Sequence, residues 1–205
     1  MLDKCCVLKR RTNITGRLYL GVDVAGLGSD LSTFEIIDKI DNEHFEQVDN
    51  IVMNKEYTTA ISDRIIELHK QLKFRKIGVD DGGIGFGVFS ELLANETTRR
   101  RVEALNNSSR ALDRDETKKK RLLKDDMYFN LLGLMEHEKI KLLDDDELIE
   151  SLKSVQWENV IKEGQKSRST IFGRYTHHAE GLIRAAWLAS QDKTLNIWAT
   201  SKSVR

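Results

Sequence analysis

Leu18-Tyr19-Leu20-Gly21-Val22-Asp23-Val24-Ala25-Gly26-Leu27-Gly28-Ser29-Asp30 is the stretch that decides the fold. Apolar residues flank one carboxylate, and the chain then breaks into glycine. The pattern predicts a buried strand over Arg17–Ala25 that carries Asp23, a tight turn at Gly26–Asp30, and a second strand over Leu31–Ile40. A carboxylate inside an apolar strand is costly unless something compensates it, and a cation does so most cheaply. Should other carboxylates converge on Asp23, the expected cation is a metal.

Outward from this stretch, His44–Asn54 reads as a third strand after a turn at Asp41-Asn42, which makes an antiparallel meander. Thr58 to Leu72 has helical spacing, with Ile61, Ile65, Leu68 and Leu72 on one face. Lys76-Ile77-Gly78-Val79-Asp80 is a short strand that again ends in a carboxylate, and Asp81-Gly82-Gly83-Ile84-Gly85 turns from it into a helix over Phe86–Ala94. Strand, helix, strand in that order implies that this strand lies parallel beside the first. Arg101–Asn106 reads as a fifth strand and Ser108–Lys120 as a charged surface loop. Helices over Leu122–Glu138 and Asp144–Ser154 follow, then a hairpin of Trp157–Glu163 and Ser167–Phe172 around Gly164, and a last helix over His177–Ser190. The expected class is α/β: a central mixed sheet, built of the antiparallel three-strand meander plus parallel strands and flanked by helices. Residues 1–16 are polar and basic and read as a linker or tail, with residues 17–205 as one domain.

Composition narrows the function. The 205 residues carry 33 basic and 33 acidic side chains, so the formal net charge is zero. That balance counts against tight autonomous binding to nucleic acid, although a local grip or a second domain could supply it. No apolar run approaches the roughly 20 residues that span a bilayer, and no signal-peptide core points to secretion. Cys5 and Cys6 are the two cysteines and are adjacent, so they build neither a disulfide framework nor a zinc site.

The candidate chemistry lies in the acids. Asp23 and Asp80 sit at strand ends, and neighbouring strands would bring both to one sheet edge. His177 and Glu180 are three apart and share a helix face. His178 points about 100° away around the helix and is expected to matter little. Asp81 faces away from Asp80 on the strand. Carboxylates with an imidazole suit a hard divalent ion: Mg²⁺ prefers oxygen ligands and open water positions, and Mn²⁺ also tolerates imidazole. Each residue also has a plain reading: Asp23 and Asp80 as turn formers, Glu180 as an acid favoured by the helix dipole, His177 as a cap or core histidine.

The element order with these acids resembles the RNase H-like nuclease fold, and within it the C-terminal nuclease domain of the large terminase subunit of tailed viruses. Gly21-Val22-Asp23-Val24-Ala25 with Gly28-Ser29-Asp30 looks like that family's first motif. Val79-Asp80-Asp81-Gly82-Gly83-Ile84-Gly85 looks like its second. Lys141-Leu142-Leu143 to Ser151-Leu152 is similar to the segment before its hairpin, and His177-His178-Ala179-Glu180-Gly181-Leu182-Ile183 resembles its third motif, with Glu180 where aspartate is commoner. That last stretch also resembles the last motif of RuvC-type Holliday junction resolvases.

The resemblance implies two-metal hydrolysis of phosphodiesters with Mg²⁺ or Mn²⁺. Asp23 would bridge both ions, Asp80 would hold one, and Glu180 and His177 the other. The implied substrate is double-stranded DNA, cut with little sequence specificity as in headful packaging. The implied partners are a terminase ATPase domain, a small terminase subunit and a portal, with no membrane, in the cytoplasm of the infected host cell. No GxxxxGK[ST] loop occurs, so the ATPase half is expected elsewhere, with residues 1–16 as its tail. Arg99-Arg100-Arg101, Lys118-Lys119-Lys120-Arg121, Lys166 and Arg168 are candidates for phosphate contacts. The rival readings are a RuvC-like resolvase, an actin-like or sugar-kinase-type ATPase domain, and a scaffold without catalysis.

Overall fold

Alternation along the strand that carries Asp23 sorts its side chains onto two layers. Leu18, Leu20 and Val22 turn to one face of the sheet, and Tyr19, Gly21 and Asp23 to the other. The computed structural model describes residues 1–25, 31–110, 122–160 and 168–192. In chain order its elements are α1 (Leu2–Cys5), β1 (Cys6–Leu8), β2 (Leu18–Asp23), β3 (Leu31–Lys39), β4 (Phe45–Asn54), α2 (Thr58–Leu72), β5 (Lys76–Val79), α3 (Gly85–Ala94), β6 (Val102–Ala104), α4 (Leu123–Glu136), β7 (Ile140–Leu143), α5 (Asp146–Ser154), β8 (Gln156–Val160), β9 (Arg168–Phe172) and α6 (His177–Gln191).

Among the described residues seven strands form one mixed sheet in the order β1-β7-β4-β3-β2-β5-β6. β2, β3 and β4 are the antiparallel meander, and β5 lies parallel to β2 with Val22 opposite Val79. β6 continues the parallel half, and β7 and β1 add parallel strands beyond β4. The fold class and the parallel pairing of β5 with β2 agree with the sequence reading. β7 is a strand that the sequence reading passes over: Lys141-Leu142-Leu143 is short and follows the helix without a turn signal. Residues 1–16, read as a linker or tail, contribute α1 and the edge strand β1. Cys6 there pairs with Leu142, and Asp144 donates its N–H to the Leu8 carbonyl. β8 and β9 are the predicted hairpin arms, and the turn at Gly164 lies outside the described residues, as do the turn at Gly26–Asp30 and all but the start of the Ser108–Lys120 loop.

Helices cover both faces. α2 and α3 bury Ile61, Ile65, Leu68, Val88 and Leu92 on Leu18, Leu20, Phe34 and Ile36. α6 lies on the other face with α4 and α5 packed beside it. The contact of α6 with β2 is unusually close at Gly21. A Cβ at Gly21 would stand 2.0 Å from the Gly181 carbonyl oxygen and 2.4 Å from the Ala185 nitrogen. Only glycine admits that approach, and it brings the first turns of α6 down to the ends of β2 and β5.

Candidate active site

By the period of two, Asp23 of β2, Thr33 and Glu35 of β3, and Gly78 of β5, with Asp80 just beyond it, share the face covered by α6. On α6, His177, Glu180 and Arg184 are spaced three and four apart, so they form one stripe above the strand ends. The structure therefore brings all four expected residues into one cluster. His177 Nδ1 lies 3.0 Å from Asp23 Oδ2, and the first turn of α6 is tied to β3 by the Thr33 hydroxyl, which donates to the His177 carbonyl at 2.7 Å.

At the centre is Arg184, wholly buried. Its Nη1 donates to Glu180 Oε2 at 3.2 Å and to the Glu180 carbonyl at 2.6 Å, and lies 3.7 Å from Asp23 Oδ1. Its Nη2 donates to Asp80 Oδ2 at 2.9 Å and to Asn107 Oδ1 at 3.1 Å. Asp80 Oδ1 accepts the N–H of Gly82 at 2.8 Å, which shapes the turn into α3. Glu180 is held on its other oxygen as well: Tyr128 donates to Oε1 at 2.9 Å and Lys124 Nζ lies 2.8 Å from it. Asn107 donates to Oε2 at 3.2 Å. Burial works against the ionised form of Glu180, but Arg184, Lys124 and the Tyr128 hydroxyl outweigh it and hold the carboxyl below the usual glutamate range.

Arg184, Lys124, Tyr128 and Asn107 are not among the residues that the sequence singles out. Arg184 stood one helical turn past Glu180, where an i,i+4 acid–base pair is a legible signal. The other three come from distant parts of the chain and carry no local mark. A second missed group lies beside the cluster. Glu35 is fully buried in β3, and His178, set aside in the sequence reading, is buried against it with Nδ1 2.7 Å from Glu35 Oε1. Gln47 donates to the other oxygen of Glu35 at 2.6 Å. An acid in the apolar run Phe34-Glu35-Ile36-Ile37 was the available clue.

The basic runs are less well placed. Arg101 precedes β6 and its side chain reaches the Arg75 carbonyl, at the N-terminal ends of β5 and β6. Asp80 follows the C-terminal end of β5, so Arg99–Arg101 lie at the opposite end of the strands and not beside the acids. Residues 118–121 and 166 lie outside the described residues, and of Arg168 only the backbone is described.

Whether a divalent ion fits depends on which acid oxygens remain open. Asp23 and Asp80 keep 18% and 21% of their side-chain surface exposed, against 7% for Glu180. Mg²⁺ keeps several waters and is commonly held by one or two carboxylates, which Asp23 and Asp80 provide. Among the described residues no group of three or more histidine, cysteine or acid side chains is arranged to hold a metal ion. The three acids close on the Arg184 guanidinium, which lies between Asp80 and Glu180 and 3.7 Å from Asp23.

No protein-family description matches the chain, and no curated protein matches it by sequence. Solved structures do. The large terminase nuclease from thermophilic phage G20c with bound magnesium shares the fold at TM-score 0.67 and 17% identity, over 91% of this chain and 94% of that one. The large terminase nuclease domain of Thermus phage P74-26 superposes at TM-score 0.63 and 16% identity, over 90% of each chain. The large terminase of a further thermophilic bacteriophage, in complex with ATP-gamma-S, matches at TM-score 0.64 and 13% identity, over 90% of this chain but 42% of that one. The G20c nuclease has also been solved with cobalt and with zinc. The chain has the RNase H-like α/β fold of the large terminase nuclease domains.

Proposed function

We propose that this chain is an endonuclease that hydrolyses phosphodiesters of double-stranded DNA during viral genome packaging, with Mg²⁺ or Mn²⁺ as cofactor. The observation that carries the reading is the convergence of Asp23, Asp80 and His177 at the strand ends of a fold shared with terminase nucleases. That shared fold favours it over the ATPase alternative.

Asp23 and Asp80, the two acids of the cluster that keep the most exposed side-chain surface, would hold the ion. When bound there, a divalent ion supplies a Lewis acid at a phosphodiester oxygen and lowers the pKa of a coordinated water. The remaining steps belong to the protein. His177 Nδ1 faces Asp23 Oδ2 at 3.0 Å, a contact that would favour the tautomer with its proton on Nδ1. As general base the imidazole would take the proton of the attacking water while that oxygen bonds to phosphorus, the ester P–O bond breaks, and the departing oxygen takes a proton from solvent. Lys124, a quarter exposed beside Glu180, adds positive charge at the edge of the cluster where an anionic backbone would arrive.

Balanced charge implies a weak grip by this chain alone. We infer that a motor ATPase, a small terminase subunit and a portal deliver the DNA at high local concentration, in the cytoplasm of an infected cell. The test is incubation of supercoiled plasmid with the pure protein and Mg²⁺ or Mn²⁺. Nicked and then linear DNA without a preferred sequence is expected, and EDTA should stop it. Robust cleavage in excess EDTA would overturn the metal requirement; no cleavage with any divalent ion, even at high protein concentration, would overturn the reading.

A further inference from the structure

We propose that Arg184 is the resident cation of the acid cluster and stands where a second metal ion would otherwise be needed. The cluster then takes one divalent ion, on Asp23 and Asp80, and Glu180 is not among its ligands. This rests on the reading of Asp23 and Asp80 as the ion-holding pair and specifies the charge capacity of that site.

An ionised carboxylate offers about four lone-pair sites. All of those on Glu180 are used: Tyr128 and Lys124 on Oε1, Arg184 and Asn107 on Oε2. An incoming ion would have to displace at least one of these contacts inside a buried environment. Arg184 spans the gap in the opposite sense. Its planar fork reaches Glu180 with one nitrogen and Asp80 with the other, a geometry that an ammonium group cannot copy. The fork is held in position by its burial and by hydrogen bonds from both terminal nitrogens, to Glu180 on one side and to Asp80 and Asn107 on the other.

Charge leads to the same count. Asp23, Asp80 and Glu180 carry three negative charges, and Arg184 and Lys124 return two positive ones within 4 Å. One divalent ion more than neutralises the remainder. A second would meet the guanidinium with no charge of Asp23, Asp80 or Glu180 left to offset it, and like charges at this range repel in a partly buried site. Arg184 is therefore a positioning residue: it holds Asp80 through Oδ2 while the Gly82 N–H holds Oδ1, and the carboxylate stays partly exposed.

The experiment is Mn²⁺ binding followed by electron paramagnetic resonance of the free ion, without DNA. Wild type should bind one Mn²⁺ per chain. Glu180→Gln keeps the shape of the side chain and should still bind one ion, with a loss clearly smaller than the loss of about tenfold or more expected of Asp80→Asn, which removes a ligand as well as a charge. Arg184→Met should admit a second ion or bind the first about tenfold more tightly, and Arg184→Lys should return to one ion. Should Arg184→Met fail to fold, wild type and Glu180→Gln decide the matter. Two ions on wild type, or a tenfold loss in Glu180→Gln, would overturn the proposal and leave the nuclease reading standing. No Mn²⁺ on wild type would overturn both.

Discussion

His178 Nδ1 lies 2.7 Å from Glu35 Oε1, with both side chains buried beneath the first turn of α6. The residue before it, His177, reaches Asp23 on the neighbouring strand. Two consecutive histidines thus hold the helix start to β3 and β2. Only the second contact is open to solvent, so the first serves packing and the second can serve chemistry.

His178→Ala is expected to destabilise the protein by about 3 kcal/mol, because it leaves the Glu35 carboxyl buried with one of its two partners gone. Urea unfolding measures this. A loss below about 1 kcal/mol would show that Glu35 finds another partner.

Stability should fall as pH rises through the raised folded values of Glu35 and His178. Burial pushes the Glu35 carboxyl up. Burial works to lower His178, but Glu35, with Asp145 and Glu147 also facing it, outweighs this and leaves its pKa raised. Both groups bind protons more strongly in the folded state. The contribution of His178 is full below its ordinary value of 6.5 and is lost as pH passes its higher folded value. Glu180 acts at the other end: its stabilisation is present above 4.5 and is lost as pH falls through its lower folded value. Denaturation midpoints of wild type and Glu35→Gln from acid to alkaline pH separate the two. A Glu35→Gln variant with an undiminished alkaline decline would count against the pair as its source.

Gly21→Ala should be more damaging than Gly133→Ala. The first places a methyl group on the α6 backbone, and the second meets nothing within 4 Å. A cost of about 3 kcal/mol or more is expected for Gly21→Ala, with weaker cleavage because α6 carries His177, Glu180 and Arg184. Equal melting temperatures for the two variants would mean that the helix can shift freely.

Among the acids, Asp23→Asn and Asp80→Asn should each reduce plasmid cleavage by about a hundredfold or more, since each removes charge that a divalent ion needs. Asp81→Asn should retain most activity, because Arg184 and the Gly82 N–H bind Asp80 and not its neighbour. An inactive Asp81→Asn with an active Asp80→Asn would exchange their roles.

Local pattern carried much of this. Alternation and glycine turns made β2, β3, β4 and β5 legible, and a sequence order of strand, helix, strand is enough to set β5 parallel to β2. Acids at two strand ends and one helix start were visible for the same reason: side-chain direction follows the periods of strand and helix. What the periods could not say is which partner each acid meets. Arg184 lies 104 residues from Asp80 in sequence, Tyr128 52 from Glu180, and His178 143 from Glu35. Such contacts arise when Gly21 lets α6 settle on the sheet and α4 closes beside it. Desolvation then decides the chemistry, because a buried carboxylate must take whatever cation or donor the packing brings. Sequence therefore determined strands β2 to β6, their pairing near Asp23 and the set of acids, but not the strands β1 and β7 beyond β4. The tertiary structure alone decided that Glu180 is saturated, that His178 belongs to Glu35, and that an arginine lies where the acids converge.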